Sequence, residues 1–450
     1  MSDPRISRRP PHQRADAPRR VRERHRPVHG RSRSLMQEII RHRQVLLAAC
    51  AGVGLSIAAI PPFVLSVFAG PMARDFGWSL QQFQTVTLAV PLGVLIAAPL
   101  GGWLLDRYGS RRVALTGLAA FAASVAGLAL STANPWTFYM AMFVLSIAAA
   151  GVLPTTWTRI INGTFDRQRG LALGITLSGS GVFATFGPAL AQWVIDAAGW
   201  RVAWIVLAAL PLCIALPLVA AFIKPEGAAA SPAGAPSVAP RAPSHQSGEQ
   251  SQGGLALGAA LRSRRFWIMV ASFGAVSFCL GGFNANLVPI LISEGLTSAE
   301  AARLAGTLGV SLITGRLIAG VMIDRFWPPG VAAIAFSLPL LGAMVLMGDS
   351  LTPTMLVLCV ALMGFAAGAE YDVLAFMTSR YFGLTHYGKI YAVMLLPISI
   401  ATSAGAVAFG RIRDGSSSFD AAWPVVLVVC GAGALLQLAL GREQSQPSAR

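Results

Sequence analysis

The sequence predicts an all-α integral membrane protein with twelve transmembrane helices in two pseudo-symmetric six-helix bundles. Three observations support this fold class. Hydrophobic residues make up 54% of the chain and charged residues only 12%, about half the charged share of a soluble domain. Apolar runs of about 20 residues, the length that crosses a bilayer, recur along the chain. Strands of alternating polarity are missing from the pattern, which argues against an outer-membrane barrel.

The apolar runs define twelve predicted helices, numbered α1 to α12, which charged or turn-forming stretches separate. Their predicted ranges in chain order are 44–69, 81–105, 112–131, 136–160, 170–195, 201–223, 266–292, 300–323, 330–348, 353–379, 388–410 and 421–440.

The predicted domain organisation follows from composition. Residues 1–43 are rich in Arg and lack an apolar core, which predicts a disordered basic tail and not a signal peptide. Residues 44–223 form the first bundle and residues 265–440 the second. The linker of residues 224–264 is rich in Pro, Ala, Ser and Gly, which predicts flexibility. Residues 441–450 form a short C-terminal tail.

The basic residues predict the orientation. When the helices alternate in direction, 28 of the 35 Lys and Arg fall on the side of the N-terminus, five on the other side and two inside helices. Because basic residues gather on the cytoplasmic side, both termini are expected there. Residues 1–35 of the tail supply half of the net charge of +16, so no nucleic-acid partner is expected.

The two halves contain an internal repeat. "GGWLLDRYG" follows α2 and "AGVMIDRFW" follows α8, which places Gly-x-x-x-Asp-Arg at matching points, 218 residues apart. Related halves joined by a loop predict a substrate site between the bundles near the membrane midplane. The extended first copy comprises Gly102, Asp106, Arg107, Gly109, Arg111 and Arg112, and the second comprises Gly320, Asp324 and Arg325.

These residues carry a family resemblance. The loop "GGWLLDRYGSRR" resembles the signature loop between helices 2 and 3 of the major facilitator superfamily, and helix count, linker and repeat extend the resemblance over residues 44–440. The resemblance implies a structural and gating role, with Asp106 docking on a neighbouring helix in one conformation. An ordinary loop with charges set by topology is the alternative.

Other strings resemble the monocarboxylate and oxalate:formate branch of that superfamily: "FGWS", "RGLALGITLSGSG", "AGWR" and "SRYFGLTHYGKIYA". In that branch an Arg of helix 8 binds the substrate carboxylate, and Arg316 occupies its position. Two departures stand out. The Lys of the oxalate exchanger in α11 has no counterpart, which disfavours dicarboxylate exchange, and Leu312 replaces the acid that monocarboxylate transporters place one turn before the Arg.

Three charged residues share a depth in the membrane. At 1.5 Å per residue, Arg316 lies about 12 Å from Asp324, while Glu370 and Asp372 lie about 15 and 12 Å from Arg380. Acids two residues apart project to different faces of a helix, so at most one of them can readily meet Arg316, and Glu370 is favoured. A substrate site and a structural ion pair between α8 and α10 both remain open. Arg159, near the end of α4, is expected to snorkel to the lipid headgroups.

Polar and aromatic residues on the expected lining helices complete the predicted site. The predicted substrate-binding residues are Arg316, Glu370, Asp372, Asn284, Trp157 and Tyr371. The resemblance implies a secondary transporter of a small organic anion, a monocarboxylate, working by alternating access; it leaves proton coupling open. Efflux of drugs or other small molecules is the alternative within transport, and a non-transporting membrane sensor is the alternative outside it.

An enzyme is not expected, because the chain lacks a Walker-A loop and a Gly-x-Ser-x-Gly elbow. The five Cys are scattered through apolar helices and five of the six His lie in tails or the linker, so neither a cofactor nor a metal is expected. The expected surroundings are a bacterial inner membrane, with a lipid bilayer, the solute and possible protons as partners of a monomer.

Overall fold

The structure is a computed structural model that describes residues 38–165, 168–225, 255–348, 351–383 and 385–441. Within these residues, ten helices are long and apolar enough to cross a membrane. They are α2 (Leu80–Tyr108), α3 (Ser110–Leu130), α4 (Pro135–Thr164), α5 (Arg169–Ala198), α6 (Trp200–Phe222), α7 (Arg264–Ala285), α8 (Ser298–Arg325), α9 (Pro328–Leu346), α10 (Pro353–Phe382) and α11 (Tyr387–Ser416).

The two remaining predicted helices are shorter. The first, α1, consists of Arg43–Gly54 and Ile60–Phe76, and α12 is Ala422–Leu438. The break in α1 was not expected and has a local cause: Pro61 and Pro62 open the second piece without backbone N–H groups to bond to the preceding turn. The Ser56 side chain occupies the break, donating to the Val53 carbonyl at 2.9 Å. The twelve predicted helices are confirmed.

The ends of the predicted tail and linker are ordered where the structure describes them. A short helix, Leu257–Arg262, lies inside the predicted flexible linker, and the Leu255 amide donates to the Phe382 carbonyl at 2.9 Å. The last residues of the predicted linker thus include about one and a half helical turns, and the flexibility of the linker stays a prediction. Residues 1–37, 226–254 and 442–450, on which the rest of the tail and linker predictions fall, lie outside the described residues.

Contacts near the helix ends identify the face of the molecule on which the first and last described residues lie. The Tyr381 hydroxyl donates to the Gly441 carbonyl at 3.3 Å, and the Gln168 amide donates to Glu38 at 3.0 Å. We call the face that carries these residues the terminal face, and the other the opposite face. The terminal face is the one predicted to be cytoplasmic, and that orientation stays a prediction.

Glycines bring the central helices into backbone contact. In α10, a Cβ on Gly364 would clash with the Leu308 backbone of α8, and one on Gly368 would clash with the Leu312 carbonyl. In α8, a Cβ on Gly309 would likewise clash with the backbone of α5. Small residues allow such close approach where lipid supplies no hydrophobic driving force between helices. Helix α8 is thus fixed between α10 of its own bundle and α5 of the other.

The two bundles are hydrogen-bonded to each other on the opposite-face side. The Gln84 side chain of α2 donates to the Ala285 carbonyl of α7 at 2.8 Å, and the Ser403 hydroxyl of α11 donates to the Thr87 carbonyl at 2.9 Å. Nearer the surface, Asp414 of α11 accepts from backbone amides of α2. The structure is therefore closed at the opposite face, and we infer that its central site communicates with the terminal face.

Candidate functional site

Arg316 lies at the junction of the two bundles. Its Nε is 2.9 Å from Oδ2 of Asp372 on α10, and its Nη1 donates to the Leu177 carbonyl of α5 at 3.0 Å. The Nε–H does not point at a hydrogen-bond acceptor, so the contact with Asp372 is an ion pair without an aligned hydrogen bond. One guanidinium thus contacts both halves of the protein.

The break in α5 explains why the Leu177 carbonyl can accept this bond. The helix Arg169–Leu177 ends there and Gly179–Ala198 begins two residues later, within the sequence "SGSG". Gly and Ser weaken helix continuity, and the Ser180 hydroxyl also donates to the Leu177 carbonyl, at 2.9 Å. A backbone acceptor is therefore available at the depth of Arg316.

The ion pair retains accessible surface. The Arg316 side chain is 18% exposed and that of Asp372 is 33% exposed. The pair is therefore not fully enclosed.

The prediction that Glu370 is the partner of Arg316 is wrong. Glu370 is only 3% exposed and accepts a hydrogen bond from the Ser277 hydroxyl of α7. The physical reason is the 100° turn per residue of a helix: positions two apart diverge by about 200°, so when α10 directs Asp372 to α8, Glu370 must face elsewhere. Packing through Gly364 and Gly368 selects which of the two acids faces α8.

Tyr371, Tyr387 and Tyr391 lie on α10 and α11, the helices that follow α8 and α9 in the second bundle. Tyr371 lies between the two acids on α10 and is partly exposed. Tyr391 lies near the start of α11. Its ring stacks on Tyr387, with ring centroids 5.6 Å apart and an interplanar angle of 14°. A substrate-binding role of Tyr371 stays a prediction.

Two of the predicted site residues lie elsewhere. Trp157 is fully buried: its Nε1 donates to the Val152 carbonyl at 3.1 Å and its ring packs against Gly52 of α1. The structure therefore does not bring Trp157 to the site. Asn284 donates to the Pro62 carbonyl at 3.3 Å and so joins α7 to α1 across the bundle interface. Asn284 contributes to closure between the bundles in this conformation.

The first copy of the repeated motif lies at the terminal face. Asp106 Oδ1 forms an ion pair with Arg159 Nη1 of α4 at 2.6 Å. The prediction that Arg159 snorkels to lipid is therefore replaced by an ion pair within the first bundle. Gly109 has a φ of 77° and is the single residue between α2 and α3, a conformation that favours Gly. Arg111 donates to the Ala220 carbonyl of α6 at 2.7 Å.

The other motif residues are exposed. Arg107 stacks over the rings of Trp103 and Tyr108, while Gly102 and Arg112 lie on the exposed surface. In the second copy, Gly320, Asp324 and Arg325 lie exposed along the last turns of α8. The motif positions are thus those expected at the ends of α2 and α8, and their gating role stays a prediction.

Some residues of the site escaped the sequence analysis. The Leu177 carbonyl was missed because a backbone group carries no side-chain signal, although "SGSG" marks a weak point in α5. Ser277, which donates to Glu370, was missed because it resembles an ordinary packing residue. Among the described residues, no group of three His, Cys, Asp or Glu could hold a metal ion.

Two bundles of membrane-spanning helices with a reachable ion pair at their junction define the class of secondary transporters. The family comparison makes this specific: residues 45–406 match the model of the Major Facilitator Superfamily, and the chain belongs to that family. The family resemblance and the prediction that the chain is not an enzyme are confirmed.

Relatives and a solved structure agree with this assignment. The chain is 28% identical over 354 residues to a gallate transporter of Pseudomonas putida, covering 71% of this chain and 74% of the relative. It is 26% identical over 430 residues to monocarboxylate transporter 11 of Mus musculus, covering 88% and 87%. The nucleoside transporter NupG shares the fold, with a TM-score of 0.66 and 14% identity over 89% of this chain and 98% of that one.

Proposed function

We propose that this transporter carries a small organic anion with one carboxylate, bound at Arg316. The observation that carries the proposal is the guanidinium itself: a cation at mid-depth, partly exposed, contacting both bundles. A guanidinium offers two parallel charge-assisted hydrogen bonds that match a carboxylate. The relatives named for gallate and for monocarboxylates are consistent with a carboxylate solute.

The contacts of Arg316 suggest how binding couples to movement. A carboxylate that takes the guanidinium competes with the Leu177 carbonyl for Nη1, while Asp372 continues to neutralise and orient the Arg. Binding thereby replaces a bond between the bundles with a bond to the solute. The bundles then rock about the occupied site, as alternating access requires.

Asp372 also restricts the solute to a single carboxylate. A second carboxylate placed near Asp372 or Glu370 would meet a like charge, and the described part of α11 offers no Lys at the depth of Arg316 to receive it. The proposal extends to protons, with Glu370 as the group that takes up the coupled proton, supported by its burial beside Ser277.

The proposed setting is a bacterial inner membrane, with the terminal face in the cytoplasm and the chain acting as a monomer. The excess of basic residues on the terminal face supports the orientation.

The test is uptake into proteoliposomes of purified full-length protein, with radiolabelled lactate and benzoate as anions and tetraphenylphosphonium as a cation. Arg316→Lys should lower anion uptake about tenfold or more, because Lys cannot reproduce the paired hydrogen bonds. Arg303→Lys is the matched control, since Arg303 is an exposed residue near the start of the same helix. Native uptake by Arg316→Lys, or transport of the cation alone, would refute the proposal and favour drug efflux.

A further inference from the structure

A groove runs between α11 and α12 near the opposite face, and we call it the α11–α12 groove. Its volume is about 470 Å³. It is lined by Ala408, Arg411, Ile412 and Gly415 of α11 and by Ala421 and Val425 of α12. All of these residues except Arg411 are apolar. A Cβ added to Gly415 would meet no atom within 4 Å, so the groove is open there.

The α11–α12 groove is continuous with an exposed apolar face of α12. Val428 and Leu435 follow Ala421 and Val425 at helical spacings and therefore lie on the same face of the helix. Val428 is 72% exposed and Leu435 is 68% exposed. Lipid chains are as apolar as these side chains and surround the exposed faces of a helix in the membrane. The groove is therefore accessible to an acyl chain of the bilayer.

Arg411 supplies a positive charge at the groove. It is exposed and forms no hydrogen bond or ion pair with any residue that the structure describes. The neighbouring charges on α11 are engaged. Arg413 lies over the ring of Phe419, 5.9 Å from its centroid, and Asp414 accepts from two backbone amides of α2. The Arg411 guanidinium is thus available to an anionic ligand.

The depth of Arg411 suits the phosphate of a lipid headgroup. Arg411 precedes Ser416, the last residue of α11, by five positions, which is about 7.5 Å along the helix axis. The headgroup layer beside the hydrocarbon core is about 5–7 Å thick, and the long Arg side chain extends toward it. A guanidinium can donate two parallel charge-assisted hydrogen bonds to a phosphate.

We propose that the α11–α12 groove binds an anionic phospholipid, with one acyl chain in the groove and the headgroup phosphate on Arg411. The acyl chain matches the apolar lining, and the phosphate matches the unpaired cation. An anionic lipid is favoured over a zwitterionic one, because the choline of a zwitterionic headgroup offsets the charge of its phosphate. The site is separate from Arg316 on α8, so this inference does not depend on which solute is carried.

A helix of a second copy of the chain is the competing occupant. Small residues such as Ala408 and Gly415 also allow close contact between helices in a membrane. An apolar helix laid over the groove would, however, cover Arg411 without supplying an anion, and burying an unpaired charge is costly. The lipid is therefore the occupant that satisfies both the apolar lining and the charge.

The experiment places a reporter at the groove. Ala421→Cys is introduced into the full chain after its five native Cys are replaced by Ala, and its reaction with a maleimide is timed in detergent. Ala421 is exposed, so the introduced thiol reacts readily unless the groove is occupied. Dioleoylphosphatidylglycerol should slow the reaction and reach half-protection at a concentration about fivefold lower than dioleoylphosphatidylcholine does.

Two variants of the reporter protein separate the charge from the groove. Arg411→Gln should raise the half-protecting concentration of phosphatidylglycerol about fivefold, because one basic residue contributes about this factor to the attraction of anionic lipid. Gly415→Leu keeps the charge and fills open space in the groove, so it should weaken protection to a similar extent without disturbing the fold.

Arg413→Gln is the matched control. It removes a charge two residues further along the same helix, on a different face, where the guanidinium lies over Phe419. Protection by phosphatidylglycerol should be the same in this variant as in the reporter protein itself.

The outcomes are distinct. Equal protection by the two lipids, or unchanged protection in Arg411→Gln or in Gly415→Leu, overturns the proposal, and so does an equal loss in Arg413→Gln. Protection by sn-glycerol 3-phosphate at the same concentration would indicate a site for soluble phosphates and would also overturn it. A dimer in detergent that Gly415→Leu dissociates would identify a second copy as the occupant and exclude the lipid. None of these measurements involves Arg316, so the proposed function is tested separately.

Discussion

Asp414 connects the two bundles at the opposite face, and its substitution by Asn should open that face. Its carboxylate, in the last turns of α11, accepts from the Leu80 amide at 2.9 Å and from the Gln81 amide at 2.7 Å. These amides begin the helix Leu80–Gln84, where N–H groups lack an intrahelical acceptor and negative charge is favoured. Gly410 lets the two backbones touch beside this contact.

The magnitude follows from the number and kind of these bonds. Hydrogen bonds to a charged group contribute about 1.5–3 kcal/mol where water is excluded, and less at an exposed residue such as Asp414. Asn keeps one acceptor oxygen and loses both the charge and the second bond. A loss of about 1 kcal/mol is therefore expected, which corresponds to about a fivefold increase in the population open at the opposite face.

The assay uses a reporter inside the closed interface. Ser403 is buried where α11 meets α2, and Ser403→Cys, in a protein whose five native Cys are replaced by Ala, reacts with a maleimide only when the interface opens. Asp414→Asn should raise the labelling rate about fivefold under conditions where opening is rapid. Asp420→Asn, the matched control, removes an exposed charge near the same face. An unchanged rate, or an equal rise in Asp420→Asn, would refute the reasoning.

Three further predictions concern turnover, protons and the N-terminus. Asp106→Asn should lower the maximal uptake rate a few-fold with little change in KM, since its exposed ion pair contributes about 0.2–1 kcal/mol to one conformation; an unchanged rate in well-expressed protein would count against gating. Glu370→Gln keeps the shape beside Ser277 but cannot carry a proton, so uptake should lose its dependence on a pH gradient more than its affinity; a full pH response would exclude Glu370. A chain that starts at Met36 should insert and transport normally, measured as uptake per molecule, because the removed residues, which lie outside the described ones, hold no apolar core; loss of insertion would contradict this.

The helices were predictable because the length of an apolar run can be read from each segment of the sequence alone. Twelve apolar runs and the repeat at Asp106 and Asp324 needed no knowledge of packing. The break in α1 was predictable in principle, because Pro61 and Pro62 cannot donate backbone hydrogen bonds. The helix at residues 257–262 was not, since its composition resembles that of the linker beside it.

Which acid pairs with Arg316, Glu370 or Asp372, depends on helix packing and could not be predicted from the sequence. Depth along a helix follows from the rise per residue, and the sequence placed both acids level with Arg316. Rotation about the helix axis is set by the neighbours, and here backbone contacts through Gly364 and Gly368 direct Asp372 to α8. Asn284 shows the same limit, because a polar residue on a lining helix can equally well face the other bundle.

The separation of the two acids has a consequence for coupling. Asp372 is ion-paired with Arg316 and partly exposed, so a solute bound to Arg316 would change its surroundings. Glu370, in contrast, is buried and bonded to Ser277 on α7. One turn of α10 therefore carries the partner of the proposed anion site on one side and the proposed proton acceptor on the other. A movement of α10 that accompanies release of the Leu177 carbonyl by Arg316 changes the surroundings of both acids together. Proton and anion can thus be coupled through one rigid helix without sharing a binding pocket.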